Sequence, residues 1–184
     1  LVDEIKEYGK KVFLDLKLFD ISKTIENSVR NLQNLKVDFL TVHGDPQVVR
    51  AAARVRSDGN MKILAVTLLT SLDRADLSEC LLKKGDITSL VIERARRALL
   101  AGADGVIASP LEAKKIRLLD ESKGKLIITP GVRPYGFEKN DQKRVLTPNQ
   151  ALKNGADYIV IGRPVYEARR PLEVVTNLIQ KLTV

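Results

Sequence analysis

Cysteine and histidine are each present only once, as Cys80 and His43, in a chain of 184 residues. A single cysteine excludes a disulfide within the chain, and with one histidine beside it there is no Cys/His set for a zinc cluster. Aromatic residues are equally sparse at 4%, against the stacking rings that proteins use to hold single-stranded nucleic acid. No apolar run approaches the roughly 20 residues needed to cross a bilayer. The opening residues, LVDEIKEYGKK, lack the apolar core of a signal peptide. A cytoplasmic protein without membrane contact is expected.

The residues that are plentiful describe an ordinary globular chain. With 44% hydrophobic and 29% charged residues over 184 positions, residues 1–184 are long enough to bury one core, and a single domain is expected. The net charge of +8 comes from Lys and Arg dispersed among Asp and Glu rather than gathered in a patch. No nucleic-acid partner is therefore expected, and a small phosphorylated anion suits such a field equally well.

Hydrophobic patterning alternates between strand and helix. The pattern predicts strands over 12–18, 37–43, 61–69, 105–109, 125–129 and 158–161. Helices are predicted over 1–8, 24–34, 46–56, 86–101, 110–119, 147–154 and 171–182, with a short helical excursion over 73–82. Three segments echo one another: VDFLTVHG, ADGVIASP and ADYIVIGR each place an Asp before a nearly all-apolar strand. Repeated βα units with continuously apolar strands indicate a parallel sheet covered on both faces. Six strands are two short of a (β/α)₈ barrel and the pattern opens inside a helix, so the expected fold is an α/β barrel of the TIM type with its first two strands absent from this chain.

Charges interrupt one of these strands. In residues 11–24, KVFLDLKLFDISKT, Asp15 and Lys17 lie two apart within an apolar run, and Asp20 follows just past its end. Alternate residues of a strand share a face, so Asp15 and Lys17 are placed side by side. In a parallel barrel the carboxyl ends of all strands open onto one site. Those ends carry Asp15, Lys17 and Asp20; His43; Thr67, Thr70 and Ser71; Ser109; Thr129, Pro130, Gly131 and Arg133; and Gly162 with Arg163. Gly162 and Arg163 precede a short helical turn, where barrels commonly bind a phosphate. The long polar loop over 130–146 contains Gln142, and loops of more than about 12 residues without structure of their own are often functional. His43, at a strand end in a packed barrel, is expected to be structural.

At these residues the chain resembles the orotidine 5′-phosphate decarboxylase family. FLDLKLFDISKT is similar to that family's D-x-K-x-x-D-I-x-x-T signature, and VTLLTS, TPGVRP, DQKR and VIGRP resemble its later motifs in the same order. The family pattern commonly continues D-I-P-N-T, whereas Ser22 and Lys23 stand here at the third and fourth of those positions. The resemblance implies decarboxylation of orotidine 5′-phosphate to UMP in de novo pyrimidine biosynthesis, with no cofactor and no metal. It implies that Lys17, Asp15 and Asp20 form a charged array at the substrate carboxylate, Lys17 protonating the ring carbanion. It further implies a homodimer in which Asp20, Ile21 and Thr24 enter the partner's site. Thr70 would contact the pyrimidine, and Arg133, Gln142, Gly162 and Arg163 would bind the 5′-phosphate. A ribose-contacting Asp and a second Lys would lie on strands preceding Leu1. Two alternatives stay open: a sugar-phosphate decarboxylase or synthase of the same scaffold that uses a divalent metal, and an inactive phosphate-binding remnant.

Overall fold

The computed structural model describes residues 1–57, 61–80, 85–133 and 145–182. Strands and helices alternate along it: α1 (Val2–Glu7), β1 (Phe13–Leu18), α2 (Ser22–Gln33), β2 (Phe39–His43), α3 (Pro46–Val55), β3 (Lys62–Val66), α4 (Arg74–Glu79), α5 (Ile87–Leu100) and β4 (Gly105–Ile107). Then follow α6 (Ala113–Arg117), a 3₁₀ turn (Asp120–Ser122), β5 (Leu126–Thr129), α7 (Pro148–Lys153), β6 (Tyr158–Ile159), α8 (Arg163–Tyr166) and α9 (Pro171–Lys181). All strand pairs are parallel and their order is the chain order, β1 to β6. This is the topology that successive right-handed βα units generate.

Alternation along the strands sorts the core into two layers. Leu40, Val42, Ile63, Ala65, Val106 and Ile127 point outward and pack with Val29, Val49, Val91 and Ile116 of the helices. Phe39, Leu64, Val66, Ile107 and Ile128 point inward, joined by Phe13 and Leu126. The inner layer reveals the curvature of the sheet, because Phe39 of β2 meets Tyr158 of β6 edge-on with ring centroids 5.4 Å apart. A flat sheet would hold those strands about 19 Å apart at normal strand spacing. The described strands thus form a curled parallel sheet wrapped around an apolar centre.

The three echoed Asp residues do one job three times. Asp38 accepts a hydrogen bond from the Val12 N–H (2.8 Å), Asp104 from the Ile63 N–H (2.8 Å) and Asp157 from the Ile127 N–H (2.7 Å). In each case the Asp's own N–H donates back to the carbonyl of the same residue. Each carboxylate also pairs with a cation, Lys6, Arg56 or Arg117 respectively. Every second strand is thereby clamped to its predecessor at the amino end, where the ladder would otherwise leave an N–H unpaired. For Asp38, partial burial pushes the carboxyl pKa up, but the Val12 N–H and the Lys6 ammonium outweigh it and hold it below 3.8.

Two predicted boundaries move for local reasons. The third strand ends at Val66 rather than 69, because the chain turns aside over 67–73 to wall a cavity. The helix expected from 110 begins at Ala113, since the Ser109 hydroxyl accepts from the Leu111 N–H and its carbonyl from the Glu112 N–H, forming a turn first.

Candidate active site

The charged pair predicted on β1 is present, but not by plain alternation. Leu14 pairs with Leu40 and Leu18 with Val42, so three residues of β1, Asp15 to Lys17, lie against the single residue Thr41 of β2. The excess is absorbed by a bulge in which Lys17 adopts φ +49°, a left-handed conformation that an L-residue takes only at a cost. The result brings Lys17 Nζ to 2.5 Å from Asp15 Oδ2. Both side chains are close to half exposed, at 42% and 47%.

These two residues, with Phe13, line a cavity of about 200 Å³ whose other walls include Thr70, Ser71, Pro130 and Val160. Apolar walls from Val66, Leu68, Leu69 and Ile107 complete it. It therefore lies at the carboxyl ends of the strands and draws residues from both edges of the sheet. Thr70 is buried and held by the turn after β3, so a hydroxyl and an ion pair face one small, largely apolar space.

Other predicted residues are not among those lining this cavity. Asp20 sits just before α2, where its carboxylate accepts from the Ile21 N–H at 2.7 Å. Asp20, Ile21 and Thr24 are exposed, and Phe19 and Ile21 remain 64% and 72% accessible. Arg133 is buried after the turn at Gly131, whose φ of +75° suits glycine. Its backbone is fixed by the Val132 to Leu146 bridge and by its N–H donating to the Leu146 carbonyl at 3.0 Å. Gly162 and Arg163 follow β6, with Gly162 as the N-cap of α8. Gln142 and the rest of the DQKR segment lie outside the described residues.

His43 is held at the end of β2 by two side-chain contacts. Its Nδ1 lies 2.6 Å from Asp45 Oδ2, and the Phe19 ring packs against the imidazole at 4.6 Å. Asp45 also faces Arg94, which donates to the Thr67 carbonyl at 2.7 Å. The ends of β2 and β3 are so joined to α5 beside the cavity.

The residue that sequence reasoning missed is Thr41. Its hydroxyl donates to Asp15 Oδ1 at 2.8 Å and accepts from the Lys17 N–H at 2.9 Å. The available signal was phase: Thr41 is the polar member of the inward set Phe39, Thr41 and His43, in register with the strand that carries the charges.

A curled parallel βα sheet with a lysine and carboxylate at the mouth of its strand ends defines an α/β barrel-type enzyme. The family described as orotidine 5′-phosphate decarboxylase / HUMPS matches residues 1–178, and the chain belongs to that family. Among its relatives, the orotidine 5′-phosphate decarboxylase of Jannaschia sp. is 58% identical over 172 residues, covering 93% of this chain and 75% of the relative. That of Ruegeria pomeroyi is 55% identical over 184 residues, covering 100% and 77% respectively. The crystal structure of orotidine 5′-phosphate decarboxylase from Lactobacillus acidophilus superposes with a TM-score of 0.82 at 31% identity, covering 100% of this chain and 80% of that one.

Proposed function

We propose that this chain decarboxylates orotidine 5′-phosphate to UMP in pyrimidine biosynthesis, with Lys17 as the proton donor. The observation that carries the reading is the Asp15–Lys17 pair at the carboxyl end of β1, facing one cavity with Thr70. The bond from the pyrimidine ring to its carboxylate breaks, CO₂ departs, and the electron pair stays on the ring carbon. The Lys17 ammonium stabilises that charge and gives it a proton, forming the C–H bond of UMP. The neutral amine then regains a proton from water. Asp15 holds the Lys17 ammonium in place through their 2.5 Å contact. No step in this sequence requires a redox or Lewis-acid cofactor.

Substrate recognition divides along the same mouth. Thr70 offers its hydroxyl to the pyrimidine, while Arg133, Gln142, Gly162 and Arg163 hold the 5′-phosphate. Arg133 and Arg163 lie just past β5 and β6 and so approach from one side of the barrel. Binding the phosphate far from the reacting carbon supplies energy that the enzyme can direct to its transition state.

Two larger features belong to the same reading. The exposed Phe19 and Ile21 beside Asp20 fit burial against a second copy of the chain, and we assign Asp20, Ile21 and Thr24 to the partner's site in a cytoplasmic homodimer. The open edges of β1 and β6 fit a single eight-stranded barrel domain closed by two further strands, for which an intact mass above that of these 184 residues in the natural protein is the test.

Replacing Lys17 with Ala tests the chemistry. We expect kcat to fall by about 10²–10⁴-fold, the usual worth of a positioned general acid, while UMP still binds by calorimetry. A loss of less than about tenfold removes Lys17 from its role.

A further inference from the structure

We infer that Thr41 is a positioning residue that sets the Asp15–Lys17 pair in its reactive geometry, through one hydroxyl used twice. Thr41 is fully buried and contributes nothing to the wall of the cavity. It therefore acts on substrate only through the two residues it holds, and the inference rests on the assignment of Lys17 as the proton donor.

The need for such a residue follows from the bulge. Between the paired positions Leu14/Leu40 and Leu18/Val42, β1 carries three residues where β2 carries one. The bulge is what lets Asp15 and Lys17 converge, yet it takes the Lys17 N–H out of the regular ladder and forces φ to +49°. A strained backbone conformation persists only where its surroundings fix it. Thr41 Oγ1 does so by accepting the Lys17 N–H at 2.9 Å.

The same oxygen carries a hydrogen, and that hydrogen goes to Asp15 Oδ1 at 2.8 Å. Asp15 is thus gripped at both oxygens, by the Thr41 hydroxyl on one and by the Lys17 ammonium at 2.5 Å on the other. Lys17 is gripped at both ends, its backbone by Thr41 and its ammonium by Asp15. The three groups close a ring of hydrogen bonds. A hydroxyl is the smallest side-chain group that both donates and accepts, which is what this ring requires. Valine has the shape of threonine but can do neither.

The test is the trio Thr41→Val, Thr41→Ser and Lys17→Ala, assayed beside the unaltered protein with orotidine 5′-phosphate. Misplacing a reacting group by about 1 Å can cost about 10²-fold. Thr41→Val is therefore expected to lower kcat by about 10–100-fold, with KM and UMP affinity within about threefold of the parent. Thr41→Ser, which restores the hydroxyl, is expected to recover kcat to within about threefold. Circular dichroism and the melting temperature confirm that each variant is folded. Thr41→Val retaining the parental kcat overturns the inference, as does Thr41→Ser falling as far as Thr41→Val. A loss confined to KM also overturns it. Failure of the underlying assignment has a separate signature: Lys17→Ala would itself retain turnover.

Discussion

Lys17 sits where a strand should be regular and is not. A lysine at φ +49° within an otherwise apolar strand carries backbone strain, and its ammonium contacts a carboxylate two residues back in the chain. The charges themselves were legible in the sequence, because an acid and a base interrupt an otherwise apolar run of strand length. The bulge was not legible: hydrophobic periodicity registers which residues are apolar, and it is blind to how many residues of one strand oppose those of the next. Thr41 escaped for a related reason, since a β-branched residue in a strand is what packing alone would select. At the other side of the mouth, Arg163 is assigned to the phosphate. We expect Arg163→Ala to weaken binding of the substrate by about 10–100-fold, the worth of a charge-assisted hydrogen bond of about 1.5–3 kcal/mol, while leaving the binding of phosphate-free orotidine unchanged. Competition binding checks this, and an equal loss with both ligands contradicts it.

The elements are held at their two ends by different chemistry. At the carboxyl ends the side chains serve the site; at the amino ends Asp38, Asp104 and Asp157 clamp strand to strand. In barrel folds the amino end is the stability face, and the repeated Asp marks those strand starts within the sequence. What the repeat could not disclose is that each carboxylate reaches back to the preceding strand. Asp104→Ala leaves the Ile63 N–H and Arg56 without their acceptor, so unfolding free energy in urea should drop by about 1–3 kcal/mol. The kcat of the folded variant should not change; unaltered stability would contradict the clamp. Acid acts on the same device. The Asp38 pKa is depressed in the folded state, so its contribution is present above the unfolded value near 4 and is lost as pH falls through the lower folded value. Stability should therefore decline from about pH 4 downward, and an Asp38→Asn variant should show a shallower decline.

Over the whole molecule, alternation of strand and helix was enough to foresee a parallel sheet, and the order β1 to β6 follows from it. Its curl was foreseen only through the count of strands; physically it comes from the twist of paired strands, which brings Phe39 within contact of Tyr158. The proposed closure by further strands and pairing with a second copy are not features that periodicity within one chain can register, and Gln142 lies outside the described residues. The exposed apolar pair Phe19 and Ile21 is the local feature that supports a mouth shared between two copies. That composite site can be tested in a single mixture. Lys17→Ala and Asp20→Ala, each expected to lose most of its activity alone, are unfolded together, refolded at equal concentrations and assayed with orotidine 5′-phosphate in excess EDTA. If Asp20 serves the partner's site, half of the dimers are mixed and each holds one intact site of two, so about a quarter of the parental rate should return. A mixture as inactive as its components, beside an active parent, would contradict a lysine and a carboxylate acting together across two copies of this chain.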